Sequence, residues 1–195
     1  ARPCNPMTTL VTGANGFVGS ALCVRLRRDG VSVRGAVRTP KLPPDGVEAV
    51  AIDSLSSDTD WTAALRNVEQ VVHLAARVHV INDKSSDPLA AFRRVNVEGT
   101  AALARQAADA GVRRFVFLSS IKANGEFTEA GQPFPADDVP APEDPYGISK
   151  HEAEQLLRQI AAETGMEVVI IRPPLVYGPG VKANFELMMR WLARG

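Results

Sequence analysis

The sequence predicts an α/β protein with a doubly wound parallel sheet, the Rossmann fold. Short apolar runs alternate with amphipathic helical patterns along the chain of 195 residues, which is typical of a parallel sheet covered by helices. A glycine-rich segment, Gly13 to Gly19, joins the first apolar run to the first helical pattern. Contents of 45% hydrophobic and 23% charged residues are those of an ordinary globular domain.

The first part of the chain contains four predicted strands. Thr8–Thr12 is a short apolar run, and the helical pattern of Phe17–Arg28 ends at Asp29-Gly30, where glycine permits a left-handed turn. Further strands are predicted at residues 31–37, 47–52 and 70–74, with a short helix at residues 58–66.

The second part contains two predicted strands and three helices. Asp87-Pro88 is a helix start, because aspartate caps the free N–H groups and proline fits the first turn. That helix is predicted to run to residue 110, and Asp144 is predicted to cap a helix from Pro145 towards Thr164. Strands are expected at residues 115–118 and 167–171, a proline-rich loop at 124–145 and an amphipathic helix at 185–193.

Composition argues against several classes of function. The 22 basic and 22 acidic residues balance, and without a basic block or basic-aromatic pattern nucleic-acid binding has little support. No apolar stretch is long enough to cross a bilayer. Two cysteines, Cys4 and Cys23, do not form a disulfide framework, which favours a reducing cytoplasm. The histidines lack metal-ligand spacing, so we predict no metal site.

Three glycines, Gly13, Gly16 and Gly19, lie between the first strand and the first helix. A dinucleotide site needs glycines for the tight turn, for close approach of the pyrophosphate and for packing of the helix on the strand. The helix N-terminus then faces the anionic phosphates. Because the flanking strand and helix agree with this geometry, we predict a nicotinamide dinucleotide site rather than a plain turn.

The end of the second strand bears on which cofactor is bound. A carboxylate there would bind the adenosine ribose of NAD, but this sequence has Arg38. A guanidinium is a planar, permanently charged fork that suits a 2′-phosphate, so NADP is favoured over NAD. The alternative is that Arg38 is a solvated loop charge. Asp53, after the third strand, is a candidate for the adenine amino group or for a turn cap.

Tyr146 and Lys150 are four residues apart on a predicted helix, so both side chains lie on one face. A nearby ammonium favours the phenolate and is expected to lower the tyrosine pKa. Tyrosine can then exchange a proton with a substrate oxygen while nicotinamide exchanges hydride. Ser120, after the fifth strand, is placed to hold that oxygen, although each of these patterns also arises by chance.

Six segments together resemble the extended short-chain dehydrogenases/reductases of the NAD-dependent epimerase/dehydratase family, which act largely on nucleotide sugars. The segments are VTGANGFVG (residues 11–19), HLAA (73–76), NVEGT (96–100), FLSS (117–120), YGISK (146–150) and IRPPLVYGP (171–179).

The resemblance implies a role for each matching residue. Tyr146 would be the acid/base, Lys150 its partner that also binds the nicotinamide ribose, and Ser120 the hydroxyl that orients the substrate. Ser120, Tyr146 and Asn184 would contact the substrate. Asn96 would support the active site, and the other cofactor residues would be Gly13, Asn15, Gly16, Phe17, Val18, Gly19, Leu74, Ala75, Ala76, Pro173 and Val176, with Tyr146, Lys150 and Asn96 beside them.

The chain departs from the family pattern after Ser120. The family's usual Val-Tyr-Gly is Ala123-Asn124-Gly125 here, so we expect an altered substrate pocket. Dehydratases commonly place Asp-Glu after the strand-ending serine or threonine, whereas this chain has Ile121-Lys122. Dehydration is therefore disfavoured.

Three functions remain open from the sequence. The first is an NAD(P)-dependent oxidoreductase or epimerase acting on a nucleotide sugar, such as a UDP-sugar 4-epimerase or a 4-keto-sugar reductase. The second is an NADPH-dependent reductase of a non-sugar carbonyl, which Arg38 favours. The third is a non-catalytic cofactor-binding sensor or scaffold, against which the intact Ser120, Tyr146 and Lys150 argue.

The predicted organisation is a flexible leader (residues 1–7), an NAD(P)-binding Rossmann domain (8–180) and the start of a truncated substrate-binding region (181–195). We therefore expect cofactor binding but little activity from this chain alone. By resemblance, a homodimer would form through the helices at 87–110 and 146–164. Glu152, Glu154 and Arg158 are predicted to be surface charges, His73 to pack in or beside a strand, and Trp61 and Trp191 to lie in a core or interface.

Overall fold

The computed structural model describes residues 8–38, 42–78, 86–135, 137–181 and 183–194, so the predicted leader at residues 1–7 lies outside the described residues. The strands are β1 (Thr8–Thr12), β2 (Ser32–Val37), β3 (Glu48–Ala51), β4 (Val68–His73), β5 (Arg114–Leu118) and β6 (Glu167–Ile171). They form one parallel sheet of six strands in the order β3-β2-β1-β4-β5-β6. This confirms the doubly wound Rossmann fold, in which the strand order reverses between β1 and β4.

Helices connect the strands. They are α1 (Phe17–Arg28), α2 (Thr62–Leu65), α3 (Pro88–Phe92), a π-helical segment (Arg93–Glu98), α4 (Gly99–Asp109), a 3₁₀ turn (Ile121–Ala123), α5 (Pro145–Thr164) and α6 (Ala183–Leu192). Within the residues that the structure describes, none of these helices combines the length and the apolar character that a membrane span requires.

Capping residues set the ends of the helices as predicted. The Asp144 carboxylate accepts a hydrogen bond from the Gly147 amide, and Pro145 occupies the first turn of α5. Gly165 ends α5 with φ of 75°, in the left-handed region. At the start of α3, the Asp87 carboxylate accepts a hydrogen bond from Ala90 N in the same way. The boundaries of α5 are therefore those that the sequence predicts.

The predicted helix at residues 87–110 is not a regular α-helix throughout. Its middle turn, Arg93–Glu98, is π-helical. The buried Asn96 in this turn hydrogen-bonds to the backbone of Arg77 and to Ser149 on α5. These contacts come from distant parts of the chain, so local sequence patterns do not predict the change in helix type. The 3₁₀ turn at Ile121–Ala123 was likewise not predicted.

Two apolar layers cover the faces of the sheet. On one face, Val11 packs with Cys23 and the rest of the α1 cluster. On the other, Leu10 packs in a larger cluster that contains Leu103, Phe115 and Trp61. Trp61 is fully buried, which confirms its predicted place in the core, whereas Trp191 on α6 is 73% exposed.

The glycine turn brings α1 unusually close to β1. Gly13 has φ of 65°, and its carbonyl accepts a hydrogen bond from Gly16 N at 2.9 Å. A Cβ atom placed on Gly19 would lie 2.1 Å from the Gly13 carbonyl oxygen, inside any permitted contact distance. Glycine at this position is therefore a condition for packing the helix on the strand, as the spacing predicts.

Replacing Gly19 tests this close approach. We expect Gly19→Ala to lower the free energy of unfolding by about 2 kcal/mol or more, because backbone atoms must move to make room for the methyl group. The matched control is Gly16→Ala, since its added Cβ would lie at 3.1 Å from the same oxygen and should cost at most about 1 kcal/mol. Urea denaturation measures both, and equal losses would contradict the packing argument.

Candidate active site

The candidate site lies at the carboxyl edge of the sheet, between β1 and β4, where the strand order reverses. The turn after β1 contacts the segment after β4, because a Cβ atom on Gly13 would lie 3.1 Å from Ala75 N. Leu74, Ala75 and Ala76, three predicted cofactor residues, are half-buried there. Crevices at such a point are the usual ligand sites of open α/β sheets.

The first turn of α1 is open towards this crevice. The N-cap of α1 is Gly16, which has no side chain to cap the free N–H groups of the first turn, so these N–H groups and the positive dipole end suit an anionic ligand. Gly16 is exposed and Phe17 is 40% exposed, while Asn15 and Val18 are half-buried. A Cβ atom on Gly178 would contact the Phe17 ring at 3.8 Å, so the loop after β6 lies beside this turn.

The Thr12 hydroxyl joins the ends of β1 and β4. Its oxygen accepts hydrogen bonds from the Leu74 and Ala75 amides, both at 3.1 Å, and lies 2.7 Å from His73 Nδ1. With its acceptor sites occupied, the hydroxyl donates to Nδ1, so His73 carries its proton on Nε2 and donates to the Thr100 hydroxyl at 3.0 Å.

His73 is confirmed as a residue packed within a strand. It is 1% exposed, and its ring stacks on Phe117. Burial and the positive charge of Lys150 lower its pKa to about 3. His73 is therefore neutral at physiological pH.

Arg38 and Asp53 follow neighbouring strands at the β2–β3 end of the crevice. Val37 pairs with Ala51, and Ile52 N donates to the Val37 carbonyl at 3.0 Å, so both chain segments leave the sheet side by side. Both side chains are exposed. The structure thus brings the two predicted adenosine residues to adjacent strand ends.

Ser120 and Tyr146 meet across the gap between β5 and α5. Ser120 caps the 3₁₀ turn by accepting a hydrogen bond from Lys122 N at 3.3 Å. Its hydroxyl also lies near enough to the Tyr146 phenol to lower the pKa of that phenol through hydrogen bonding. Burial raises the pKa of the Tyr146 phenol, and the bond from Ser120 opposes that rise. Ser120 and Tyr146 are therefore neighbours, and the role of Ser120 towards a substrate oxygen stays a prediction.

Lys150 lies one helical turn after Tyr146 on α5, and it is only 3% exposed. Its Nζ donates to the Leu118 carbonyl at 2.7 Å and lies 4.4 Å from the Phe117 ring centroid. Burial lowers the pKa of Lys150 to about 7, and the charge of Glu154 opposes this.

The expected lowering of the Tyr146 pKa by Lys150 is wrong for this structure, in which that pKa is raised. Lys150 Nζ is bonded to the Leu118 carbonyl and lies 6.0 Å from the centroid of the Tyr146 ring. At this separation, burial of the phenol has the larger effect.

Asn96 connects the segment after β4 with the first turn of α5. Its Oδ1 accepts from Arg77 N at 2.8 Å, and its Nδ2 donates to Ser149 Oγ at 3.0 Å. Ser149 Oγ in turn donates to the Tyr146 carbonyl at 2.8 Å. This geometry suits a residue that supports the active site, while a direct contact with cofactor stays a prediction.

Lys122 connects the turn after Ser120 with the start of α5. No role for Lys122 was predicted from the sequence beyond its difference from the dehydratases. Its Nζ donates to Asp144 at 2.6 Å and to Glu126 at 2.9 Å. A Cβ atom on Gly147 would lie 2.6 Å from the Lys122 carbonyl oxygen, so the two backbones are in close contact. Lys122, at the position where dehydratases commonly have glutamate, is thus a cation held in two ion pairs.

The prediction that Glu154 is a surface charge is wrong, because its side chain is fully buried. Glu154 follows Lys150 by one helical turn and therefore shares its buried face. Its carboxylate accepts hydrogen bonds from Arg172, Ser119 and Arg158. Burial alone would raise the pKa of Glu154, but Arg172 and Ser119 outweigh it and hold the pKa below its usual value.

The segment after β6 contains the remaining predicted residues. Pro173 is half-buried, and its carbonyl accepts from Ile121 N at 3.1 Å. Val176 is 40% exposed. Asn184 lies in α6, but its side chain is outside the described residues. Among the residues with described positions, no group of three His, Cys, Asp or Glu side chains could hold a metal ion.

Comparison with known proteins decides the family. The sequence model of the NAD dependent epimerase/dehydratase family matches residues 9–194. The chain belongs to this family. It is 49% identical over 192 residues to a UDP-glucose 4-epimerase of Vibrio cholerae, covering 97% of this chain and 58% of that protein. A dihydroflavonol 4-reductase of Zea mays is 32% identical over 199 residues, covering 91% of this chain and 55% of the reductase.

Two solved structures have the same architecture over the part of their chains that this chain matches. MoeE5 in complex with UDP-glucuronic acid and NAD matches with a TM-score of 0.76 and 33% identity, over 91% of this chain and 57% of MoeE5. A UDP-glucuronic acid 4-epimerase from Bacillus cereus in complex with NAD matches with a TM-score of 0.81 and 25% identity, over 96% of this chain and 63% of that protein. The chain thus spans little more than half the length of these relatives.

The buried neutral His73 predicts a loss of stability in acid. Its pKa is about 3 in the folded chain and about 6.5 in an unfolded one, so the unfolded state binds more protons between these values. Stability is therefore lost as the pH falls through this window, by up to about 1.4 kcal/mol per pH unit.

Two variants isolate this effect. We expect His73→Gln to destabilise the chain but to reduce the slope of unfolding free energy against pH by about one proton. Thr100→Ala removes the Nε2 hydrogen bond and keeps the titrating ring, so its slope should match that of the parent. Urea denaturation between about pH 4 and pH 7 measures both, and an unchanged slope for His73→Gln would contradict the assignment.

Proposed function

We propose that this chain provides the cofactor site and the acid/base residues of an NAD(P)-dependent epimerase or reductase acting on a nucleotide sugar. The observation that carries the proposal is that the open glycine turn and the Ser120–Tyr146 pair, with Lys150, lie at the same carboxyl edge of the sheet. The 49% identity to a UDP-glucose 4-epimerase supports the substrate class.

The residues of the crevice fit a dinucleotide. Gly13 and Gly19 allow close approach of the backbone segments around the turn, and the N-cap of α1, Gly16, has no side chain that would cap the first turn. We propose that this turn binds the pyrophosphate, that residues 74–76 lie along the cofactor, and that Pro173 and Val176 lie near the nicotinamide. When bound, the nicotinamide supplies the acceptor and donor of hydride.

Tyr146 is proposed to move the proton of the reacting sugar hydroxyl. Ser120, whose hydroxyl lies near the Tyr146 phenol, is proposed to hold the same oxygen. Lys150 stabilises the phenolate when charged, and its pKa of about 7 allows both protonation states near neutral pH. If the hydride returns to the other face of the transient ketone, the product is the 4-epimer. If the ketone is supplied as substrate, the same residues catalyse a net reduction.

Arg38 supports NADP as the preferred cofactor. Its exposed guanidinium follows β2 directly and lies at the strand end beside Asp53, where a 2′-phosphate is expected in this fold. MoeE5 and the B. cereus epimerase are solved with NAD, so the preference of this chain rests on Arg38 rather than on its relatives.

A second candidate is an NADPH-dependent reductase of a non-sugar carbonyl. Arg38 and the 32% identity to a dihydroflavonol 4-reductase favour it. Epimerisation of a UDP-sugar consumes no net NAD(P)H, whereas either reduction does. Net oxidation of NADPH by a non-sugar ketone, together with failure to bind UDP-glucose, would decide for this alternative.

The predicted organisation remains part of the proposal. Residues 8–180 are proposed to form the cofactor domain, and residues 181–195 to begin the region that binds the nucleotide portion of the substrate through Asn184. The predicted homodimer would use the α3–α4 helices and α5, whose ion pair between Arg93 and Glu152 holds them together within one chain. Size-exclusion chromatography with light scattering tests the dimer.

Tyr146→Phe tests the proposed acid/base. Loss of the phenol oxygen should lower the rate of hydride transfer from UDP-glucose by about 100-fold or more. A single turnover of the cofactor-loaded protein that includes the substrate-binding region, followed by the absorbance of the reduced nicotinamide, measures the rate. Tyr177→Phe is the matched control, because Tyr177 is 69% exposed and stacks on Phe185. Equal rates for Tyr146→Phe and its parent would reject the assignment.

Arg38→Ala tests the cofactor preference. Loss of a charge-assisted contact to the 2′-phosphate should weaken NADP binding by about tenfold or more and leave NAD binding nearly unchanged. Calorimetric titration with both cofactors measures the two affinities. Arg105→Ala is the control, since Arg105 is an exposed arginine on α4. If Arg38→Ala weakens NAD and NADP equally, Arg38 does not select the phosphate.

A further inference from the structure

The buried carboxylate of Glu154 accepts hydrogen bonds from side chains on or next to three different elements. Arg172, directly after β6, donates through Nε at 2.8 Å and through Nη2 to the second oxygen. Ser119, directly after β5, donates its hydroxyl to the same carboxylate. Arg158, on α5, adds a third partner at 3.2 Å. The group is therefore a junction of α5, β5 and β6.

Each of these three elements carries a residue of the proposed active site next to the junction. Ser119 precedes Ser120, Arg172 precedes Pro173, and Glu154 follows Lys150 by one helical turn. Backbone hydrogen bonds join the two strand ends at the same level, from Ser119 N to the Ile171 carbonyl at 2.8 Å and from Ile121 N to the Pro173 carbonyl at 3.1 Å.

Arg172 also reaches the segment at which this chain departs from its family. Its Nη1 donates to Asn124 Oδ1 at 3.1 Å, and Asn124 is 4% exposed. Asn124 is the central residue of Ala123-Asn124-Gly125, where the family usually has tyrosine. One guanidinium thus connects the buried carboxylate to the turn that follows Ser120.

Stability alone does not account for a charged pair in this place. A buried ion pair usually contributes no more to folding than well-packed apolar residues of similar volume, whereas its bidentate geometry specifies position. Leu157 and Ala153, on the same helix, are fully buried in the apolar core. The buried face of α5 is thus otherwise packed with apolar side chains, and the Glu154–Arg172 ion pair departs from that pattern.

We infer that Glu154 and Arg172 are positioning residues, which hold Ser120, Lys150 and the Pro173 segment in the arrangement that the site requires. Neither needs to touch substrate or cofactor. This inference rests on the proposed function for what the arrangement serves, but the arrangement itself can be measured without any ligand.

The effect on Lys150 follows from the charges that face it. Neutral His73 lies on the β4 side, the Leu118 carbonyl and the Phe117 ring lie on β5, and Tyr146 and Glu154 are on α5 with it. Of these groups Glu154 is the anion, and its charge raises the pKa of Lys150 against the effect of burial. Removal of that charge should lower the pKa of Lys150 below about 7.

The first experiment measures Lys150 directly in the chain without ligand. Carbon-13 NMR of the lysine ε positions, assigned with Lys150→Met, gives its titration in the parent and in Glu154→Gln. We expect the midpoint to move to lower pH in Glu154→Gln and to stay unchanged in Glu152→Gln, a surface carboxylate on the same helix. An unmoved midpoint in Glu154→Gln would overturn the electrostatic part of the inference.

The second experiment tests position through cofactor affinity. Glu154→Met with Arg172→Met removes both charges together, and the melting temperature should stay within about 5 °C of the parent. Affinity for NAD or NADP should nevertheless fall about tenfold, because Lys150 and Pro173 no longer meet the cofactor together. The control replaces Arg114 and Glu167 by Met, since that exposed pair joins the same two strands at their opposite ends. It should bind cofactor as the parent does.

The outcomes separate this inference from the proposed function. A parent chain that binds neither cofactor contradicts the proposed function, while the NMR titration still tests Glu154. A folded double variant that binds cofactor like the parent overturns the positioning role alone. If the double variant does not fold, Arg172→Lys replaces it. Arg172→Lys retains the charge but lacks the bidentate fork, and full affinity in that variant would equally overturn the inference.

Discussion

The site depends first on the contact that joins the end of β1 to the end of β4. The Thr12 hydroxyl accepts two amide hydrogen bonds from residues 74 and 75 and donates to His73, so each of its hydrogen-bonding positions is used. Gly13 follows Thr12 directly, and a Cβ atom on it would lie 3.1 Å from Ala75 N, so the two backbones are in close contact. The crevice proposed for a dinucleotide lies where these two strand ends are held together by close backbone contacts.

The features that the sequence predicted well are those determined by neighbouring residues. Asp144, Pro145 and Gly165 set the bounds of α5 through local capping, and the glycine spacing fixed the turn after β1. The order of Ser120, Tyr146 and Lys150 along the chain was enough to place them at one edge, because Ser120 follows the carboxyl end of β5 and the helix after a parallel strand begins at that edge. Such signals need no knowledge of distant contacts.

The features that the sequence did not predict are set by contacts between distant segments. The π-helical turn at Asn96 depends on Arg77 and Ser149, and the burial of Glu154 depends on Arg172. For Glu154 a signal was nevertheless present. It lies four residues after Lys150, so any helix face that buries the lysine must bury the glutamate too. A carboxylate in that position requires a cation, and the arginine directly after β6 provides it.

The buried charged groups influence one another in series, from Arg172 through Glu154 to Lys150. Arg172 stays protonated and keeps Glu154 ionised although it is fully buried. Glu154 in turn supports the charge of Lys150, which burial brings to a pKa of about 7. In the proposed mechanism Lys150 is the cation that would favour the phenolate of Tyr146, against the burial that raises the tyrosine pKa in this structure. The acid/base chemistry proposed for Tyr146 thus depends on an arginine three groups away, on a different element of the fold.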